Sequence, residues 1–174
     1  MRTARGELVR PTADRVREAL FDILGARVAG AEFLDAYAGT GAVGIEAISR
    51  GASVVAFVEN HPEASALLRA NLKSCGVAGG RAQLVERDLA QAISLLEGRG
   101  RPFDFLFVDP PYAGGELDRA LRLLSRSRLL GESSILIAEH ESRLPVPQQE
   151  QLIGTRTASY GRTALSFFAR APRR

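Results

Sequence analysis

Three glycines with the spacing of a ligand-binding loop, Gly39, Gly41 and Gly44, are the first residues that could take part in chemistry. A short apolar run precedes them, and the residues after them have the apolar spacing of a helix. Because glycine has no Cβ, a ligand can lie against the backbone amides at the start of that helix. The flanking strand and helix favour this interpretation over an incidental tight turn, so we expect a nucleotide-like ligand here.

A second chemical motif, Asp109-Pro110-Pro111-Tyr112, follows the almost continuously apolar run 103–108. Such a run is typical of a central parallel strand, and two consecutive prolines cannot continue a sheet ladder. We therefore expect Asp109 and Tyr112 at the carboxyl edge of the sheet, beside the glycine loop, where open α/β sheets bind ligands. A purely structural turn is the alternative interpretation of this motif.

An acidic residue, Glu59, ends the apolar run 54–58. At the end of a second parallel strand, a carboxylate can reach the hydroxyl groups of a ribose. NAD and S-adenosylmethionine both contain such a ribose. The glycine loop and Glu59 therefore leave the choice between these two cofactors open.

The elements that position these residues form an alternating pattern, which requires parallel strands joined by right-handed crossovers. The last two strands, joined at Gly161-Arg162, have the pattern of an antiparallel hairpin. The predicted fold class is therefore α/β, with a mostly parallel seven-stranded sheet that ends in an antiparallel hairpin. Strands are predicted at 32–38, 53–59, 82–87, 103–108, 134–139, 151–160 and 163–169, and helices at 11–28, 42–50, 60–76, 89–96 and 117–124.

Length and composition describe an ordinary globular chain. With 174 residues, 45% of them hydrophobic, it is long enough for one core, so we expect a single domain over 1–174, with a basic arm and helix at 1–28 and the core at 29–174. No apolar run of about 18 residues is present and the N-terminus does not have the pattern of a signal peptide, so we expect a cytoplasmic protein. One cysteine and two histidines are too few for a structural zinc site, and no metal is predicted.

The net charge is +3, and of the 23 lysine and arginine residues only Lys73 is a lysine. A compositional bias explains the preference for arginine over lysine, but it does not explain why arginines cluster at both ends of the chain. Clustered arginines are typical of proteins that bind nucleic acid. We predict contacts with a nucleic acid, RNA or DNA, from Arg2, Arg5, Arg15 and Arg17; the family resemblance described next implies RNA.

Five segments together carry a resemblance to a known family. They are RPTADRVREALFDIL at 10–24, FLDAYAGTGAVGIEAISRGA at 33–52, VEN at 58–60, FDFLFVDPPY at 103–112 and YGRTALSFF at 160–168. They resemble the RsmD family of 16S ribosomal RNA guanine-N2 methyltransferases, and the segment RPTADRVRE is the most specific of them. The resemblance implies a Rossmann-like class I methyltransferase with helices on both faces of the sheet, S-adenosyl-L-methionine as cofactor, and a monomer that acts on 16S ribosomal RNA within a small-subunit assembly particle.

The resemblance also implies where the cofactor binds. Asp35 and the glycine loop would hold its methionine end, Glu59 its ribose, and Asp88 with Leu89 its adenine, while residues 10–12 would close over it as a lid. The residues assigned to the cofactor are Arg10, Thr12, Asp35, Ala36, Tyr37, Ala38, Gly39, Thr40, Gly41, Gly44, Glu59, Asn60, Asp88, Leu89 and Asp109.

The Asp109–Tyr112 motif would then carry the catalytic residues, Asp109, Pro110, Pro111 and Tyr112. Guanine N2 is a poor nucleophile, so an enzyme must orient it and polarise its N–H bonds. Asp109 and the carbonyl of Pro110 offer acceptors for the two amino hydrogens, and Tyr112 offers a ring on which the base can stack. Asp109 as general base is a hypothesis. An adenine-N6 methyltransferase acting on DNA or another RNA, an NAD-dependent oxidoreductase and a non-enzymatic RNA-binding module are the alternatives.

Overall fold

The computed structural model describes residues 11–77, 79–112 and 114–172. Within these residues the chain forms five α-helices and seven strands. The helices are α1 (Pro11–Leu24), α2 (Ala42–Ser49), α3 (Pro62–Ser74), α4 (Leu89–Leu96) and α5 (Glu116–Arg126). The strands are β1 (Glu32–Ala36), β2 (Val54–Val58), β3 (Ala82–Val85), β4 (Phe103–Val108), β5 (Leu130–Glu141), β6 (Leu152–Tyr160) and β7 (Thr163–Arg170). Among the described helices, none combines the length and the apolar character needed to cross a membrane.

The strands form one sheet in the order β3-β2-β1-β4-β5-β7-β6. The first five pair in parallel, and β7 runs antiparallel to both of its neighbours. Gly161 lies in the turn between β6 and β7 with a φ of +65°, a conformation that glycine adopts without steric cost. The predicted fold, a mostly parallel sheet completed by an antiparallel hairpin, is confirmed.

Two apolar clusters cover the two faces of the sheet, as predicted. On one face, α4 and α5 pack against strand residues that include Leu34, Leu106 and Leu136. On the other face, α1, α2 and α3 pack against strand residues that include Phe33 and Phe57. Because both faces are covered, the loops at the carboxyl ends of the parallel strands are the part of the sheet left open to a ligand.

Most predicted bounds lie within two residues of the observed ones, and three differences have a clear physical cause. α1 ends at Leu24 instead of residue 28, because Gly25 takes a φ of +57° and the chain continues as a 3₁₀ turn, Gly25–Val28. β1 ends at Ala36, because Tyr37 has a φ of +64° that leaves the strand conformation. β5 begins at Leu130 instead of residue 134, because the buried Leu130 pairs with Phe103 of β4, and a register shift then separates it from the apolar part of the strand.

Four acidic residues lie along the carboxyl edge of the sheet. Asp35, Glu59, Asp109 and Glu139 each lie two positions after a residue of the cluster that packs under α1, α2 and α3. Because side chains alternate along a strand, this spacing brings the four carboxyl groups to one face of the sheet.

Candidate active site

A cleft of about 650 Å³ lies over the carboxyl ends of β1, β2, β3 and β4. The first turn of α5 closes one of its sides. Its lining residues are Tyr37, Val58, Glu59, Asn60, His61, Arg87, Asp88, Leu89, Asp109, Pro110, Pro111, Tyr112, Glu116 and Arg119. The Asp109–Tyr112 motif and Glu59 therefore meet at one cleft.

The glycine loop is packed tightly against the sheet. The N–H of Gly41 donates to the carbonyl of Ala38 at 2.7 Å, and Gly41 has a φ of +81° directly before α2. A Cβ on Gly44 would lie 2.2 Å from the ring of Phe57, so no larger residue fits without displacement of that ring. Glycine is thus needed here for close packing of α2 on β2 as well as for the turn.

Glu59 connects this loop to the next helix. Its carboxylate is buried and accepts the backbone N–H of Gly39 at 2.7 Å and that of His61 at 2.8 Å. Each carboxylate oxygen keeps a lone pair, so Glu59 can still accept hydrogen bonds from a pair of ribose hydroxyls. Its position on the cleft wall fits the predicted role.

Asp35 points inward, beneath the loop. It is buried and accepts the N–H of Gly44 at 2.8 Å. The pKa of Asp35 is raised to about 8, chiefly by burial and to a smaller extent by the nearby carboxylates of Asp109 and Glu59, although the hydrogen bond from Gly44 lowers it. A cation above this group would therefore favour its ionised form.

The Asp109–Tyr112 segment forms the opposite wall. Asp109 opens onto the cleft, but the surrounding walls exclude much of the bulk water, and this burial raises its pKa to about 6. Pro110 is buried, which fixes the position of the backbone carbonyl that follows Asp109. Tyr112 is 56% exposed, so the ring presents an open aromatic surface at the rim. Acceptors and a stacking surface are thus joined on one rigid turn.

The electrostatics of the cleft distinguish between the two cofactors that the sequence left open. The N–H groups of Gly39 and Gly44 donate to Glu59 and Asp35, and are therefore occupied by carboxylates instead of being free for a pyrophosphate. The carboxyl groups of Glu59 and Asp109, which are part of the lining, give the cleft an acidic floor that repels the phosphates of NAD. The sulfonium and ammonium groups of S-adenosylmethionine are positive and fit this floor.

Several cleft residues were not identified from the sequence. They are Val58, His61, Arg87, Glu116 and Arg119. The hydroxyl of Tyr37 donates to Glu116 at 3.2 Å, and Arg119 pairs with the same carboxylate at 3.4 Å, so α5 is attached to the loop after β1. The contact between Tyr37 and Glu116 joins residues 79 positions apart, so no local sequence pattern could have revealed it.

The structure places the predicted cofactor residues in two groups. The lining contains Tyr37, Glu59, Asn60, Asp88, Leu89 and Asp109. The other residues lie outside the lining, in β1, in the tightly packed loop or, for Gly44, in α2; they are Asp35, Ala36, Ala38, Gly39, Thr40, Gly41 and Gly44. Arg10 and the side chain of Thr12 lie outside the described residues.

Of the predicted RNA contacts, Arg2 and Arg5 lie outside the described residues. Arg15 is exposed on α1, and Arg17 pairs with Asp14 at 2.7 Å. An RNA contact by any of these arginines stays a prediction. In the part of the chain that the structure describes, no three metal-ligating side chains come together.

Comparison with known proteins extends the similarity over nearly the whole chain. The family model described as Conserved hypothetical protein 95 matches residues 1–169. YlbH of Bacillus subtilis (strain 168) is 32% identical over 169 residues, which cover 97% of this chain and 91% of that protein. Ribosomal RNA small subunit methyltransferase D of Escherichia coli (strain K12) is 36% identical over 139 residues, which cover 80% of this chain and 68% of that protein. The solved structure of yhhF from Escherichia coli superposes with a TM-score of 0.78 at 33% identity, over 96% of this chain and 90% of that one.

Proposed function

Because the chain belongs to the RsmD family of methyltransferases, we propose that it transfers a methyl group from S-adenosylmethionine to the exocyclic N2 of a guanine in 16S ribosomal RNA. The observation that carries this proposal is that the Asp109–Tyr112 turn and Glu59, which holds the glycine loop, line one acidic cleft. The turn can hold an amino group, and the side of the cleft at Glu59 can hold a cationic nucleoside. Methyl transfer requires the amino group and the nucleoside side by side.

The cofactor would lie across the β1 and β2 side of the cleft. Glu59 would accept its ribose hydroxyls, Asp88 and Leu89 would contact its adenine, and Asp35 would face its positive end from below the loop. Bound there, it supplies an electrophilic methyl group on a sulfonium. The acidic floor would stabilise that positive charge before the target guanine binds.

The residues of the turn would prepare the nucleophile. The lone pair of guanine N2 is delocalised into the ring, so the amino group must be held in one orientation and its N–H bonds polarised. Asp109 and the carbonyl of Pro110 would accept its two hydrogens, and Tyr112 would stack on the ring of the base. As N2 becomes cationic, Asp109 would take the proton, since its pKa of about 6 lets it act as a base at neutral pH.

Ribosomal RNA as substrate follows from the relatives that bear this activity in their names. We further propose that the substrate is a small-subunit assembly particle, that the protein acts in the cytoplasm as a monomer with a single domain, and that Arg2, Arg5, Arg15 and Arg17 contact RNA phosphates. Residues 10–12 would close over the cofactor.

The test is methyl transfer from radiolabelled S-adenosylmethionine to undermodified small ribosomal subunits, naked 16S RNA and duplex DNA, followed by nucleoside analysis. We expect N2-methylguanosine in RNA, with the better of the two RNA substrates revealing whether the particle is recognised. Label in DNA, or as N6-methyladenosine, would support the alternative amino-methyltransferases instead.

A further inference from the structure

Glu139, near the end of β5, has no part in the roles described above. Val108 of β4 is level with Ala138 of β5, so Asp109 and Glu139 follow them as neighbours at the same edge of the sheet. Adjacent strands lie about 4.8 Å apart, and alternation turns both side chains to the same face. The two carboxyl groups are therefore close together.

The pair is electrostatically coupled. Burial raises the pKa of Glu139 to about 8, and the negative charge of Asp109 contributes to this shift. Among the described residues, no hydrogen-bond donor or cationic side chain reaches the carboxylate of Glu139. Two adjacent carboxyl groups without a donor from the protein are complementary to a ligand that carries two adjacent N–H groups, because hydrogen bonds from such a ligand would favour the ionised, accepting form of Glu139.

Tyr112 shows on which side of the turn this pair lies. The pKa of Tyr112 is raised first by partial burial and then by the charge of Asp109, with smaller contributions from Glu139 and Glu141, while a hydrogen bond from Thr163 lowers it. The hydroxyl of Tyr112 therefore lies near Thr163 at the start of β7, on the side of the turn where β5 carries Glu139. The cofactor cleft extends in the other direction, toward β2 and β3. Asp109 stands on the boundary between the two.

The Watson–Crick edge of guanine has the matching pattern. Its exocyclic N2 lies next to the ring N1–H, which is a donor. The amino groups of adenine and cytosine instead lie next to a ring nitrogen that is an acceptor. A carboxylate beside the amino-binding acceptors therefore attracts guanine and repels the other two bases.

We propose that Glu139 is a specificity-determining residue that selects guanine by accepting its N1–H, next to the acceptors that Asp109 and the Pro110 carbonyl offer to N2. This inference rests on the proposed function, because it assumes that a guanine N2 is the methylated group. It adds a residue from β5, the fifth of the parallel-paired strands, to the site and gives a function to the acidic side chain near the end of β5.

The test compares two substrates that differ at N1 and in the 6-oxo group, which only guanine carries, so the response of the preference to a change at residue 139 is the reading specific to N1. 2-Aminopurine keeps the exocyclic 2-amino group of guanine but has an acceptor at N1. Wild type and Glu139→Gln would each be tested on small-subunit RNA that carries either guanine or 2-aminopurine at the mapped target. The glutamine amide of the variant can donate a hydrogen bond to N1 of 2-aminopurine. We expect wild type to prefer guanine in kcat/KM by about ten- to a hundredfold, the usual effect of a hydrogen bond to a charged group, and Glu139→Gln to lose this preference.

The matched control is Glu141→Gln, which removes the same charge two residues along the same face of β5 and should keep the wild-type preference. An unchanged preference in a folded Glu139→Gln variant would overturn the role of Glu139. If that variant does not fold, equal methylation of the two substrates by wild type alone would overturn it. Wild-type product that is not N2-methylguanosine would overturn the proposed function as well, so the two failures are distinguishable.

Discussion

The carboxylate of Glu59 accepts the backbone N–H of Gly39 at 2.7 Å, and this contact attaches the glycine loop to the end of β2. The same carboxylate accepts the N–H of His61 at 2.8 Å, where α3 begins. Because Glu59 is buried, neither N–H group has an equivalent partner in water if the carboxylate is lost. The residue expected to bind the ribose therefore also holds the wall of its own site together.

Glu59→Gln should weaken both the fold and the cofactor site. The glutamine side chain has one oxygen, so its NH₂ group must face one of the two backbone N–H groups and leave it unpaired. We expect the free energy of unfolding to fall by about 1–3 kcal/mol, together with weaker binding of S-adenosylhomocysteine. Denaturant unfolding and titration calorimetry measure these effects. Glu132→Gln, an exposed residue that pairs with no described side chain, is the control, and equal values for the two variants would contradict the expectation.

Gly44→Ala should destabilise the protein through a steric clash. Its Cβ would lie 2.2 Å from Phe57 and 3.0 Å from the Asp35 carboxylate, so the ring must move. Overpacking of this kind costs about 1–3 kcal/mol. Gly98→Ala is the matched control, because a Cβ there meets no atom within 4 Å. Thermal unfolding of both variants measures the difference, and equal midpoints would show that the ring can move without cost.

Asp35 should make stability depend on pH. Burial raises the pKa of Asp35 from 3.8 to about 8 in the folded protein. The stability that the protonated side chain contributes is therefore complete below the unfolded pKa, and it is lost as the pH rises through the folded pKa. Asp35→Asn keeps an acceptor for Gly44 and cannot ionise. Between the two pKa values, the stability of the variant relative to wild type should rise by up to about 1.4 kcal/mol per pH unit. Unfolding at about pH 5 and about pH 8 tests this, and a constant difference would mean that Asp35 is ionised throughout.

Local sequence patterns were sufficient for the fold and for the two motifs. The glycine loop and the Asp109–Tyr112 turn could be placed because each combines a buried strand with residues that force a particular backbone. The inward position of Asp35 could not be predicted, since it depends on the N–H of Gly44 and on the ring of Phe57. The alternation of side chains along a strand predicts on which face of the sheet a side chain lies, but it does not predict which residue that side chain contacts.

Long-range neighbours explain the remaining differences. Glu139 is one acidic residue among many in the sequence, and it becomes informative only once β5 lies beside β4. The same is true of Glu116, which reaches Tyr37 across 79 positions of the chain. The early end of β1 depends on the positive φ at Tyr37. Tyrosine seldom adopts a positive φ, and no pattern of residues in the sequence predicts it.

Tyr112 should act through its ring and not its hydroxyl. Tyr112→Phe keeps the stacking surface, so we expect affinity for the RNA substrate close to that of wild type. Tyr112→Ala removes it and should weaken RNA binding by about 1–3 kcal/mol, the usual contribution of one stacked base. Filter binding or fluorescence anisotropy at fixed salt measures the difference. Because the ring is 56% exposed, both variants should keep wild-type stability, and a matched loss of affinity in Tyr112→Phe would assign the contact to the hydroxyl.

The central claim is that Asp109 prepares a guanine N2 for methyl transfer. The most direct measurement is the rate at which N2-methylguanosine forms in small-subunit RNA with wild type and with Asp109→Ala, each saturated with S-adenosylmethionine as verified by calorimetry. We predict N2-methylguanosine from wild type and a rate about 10²- to 10⁴-fold lower from the variant, the range expected when a general base or a preorganised acceptor is removed. A variant that forms N2-methylguanosine at the wild-type rate, or a wild type that methylates another position, would contradict the claim.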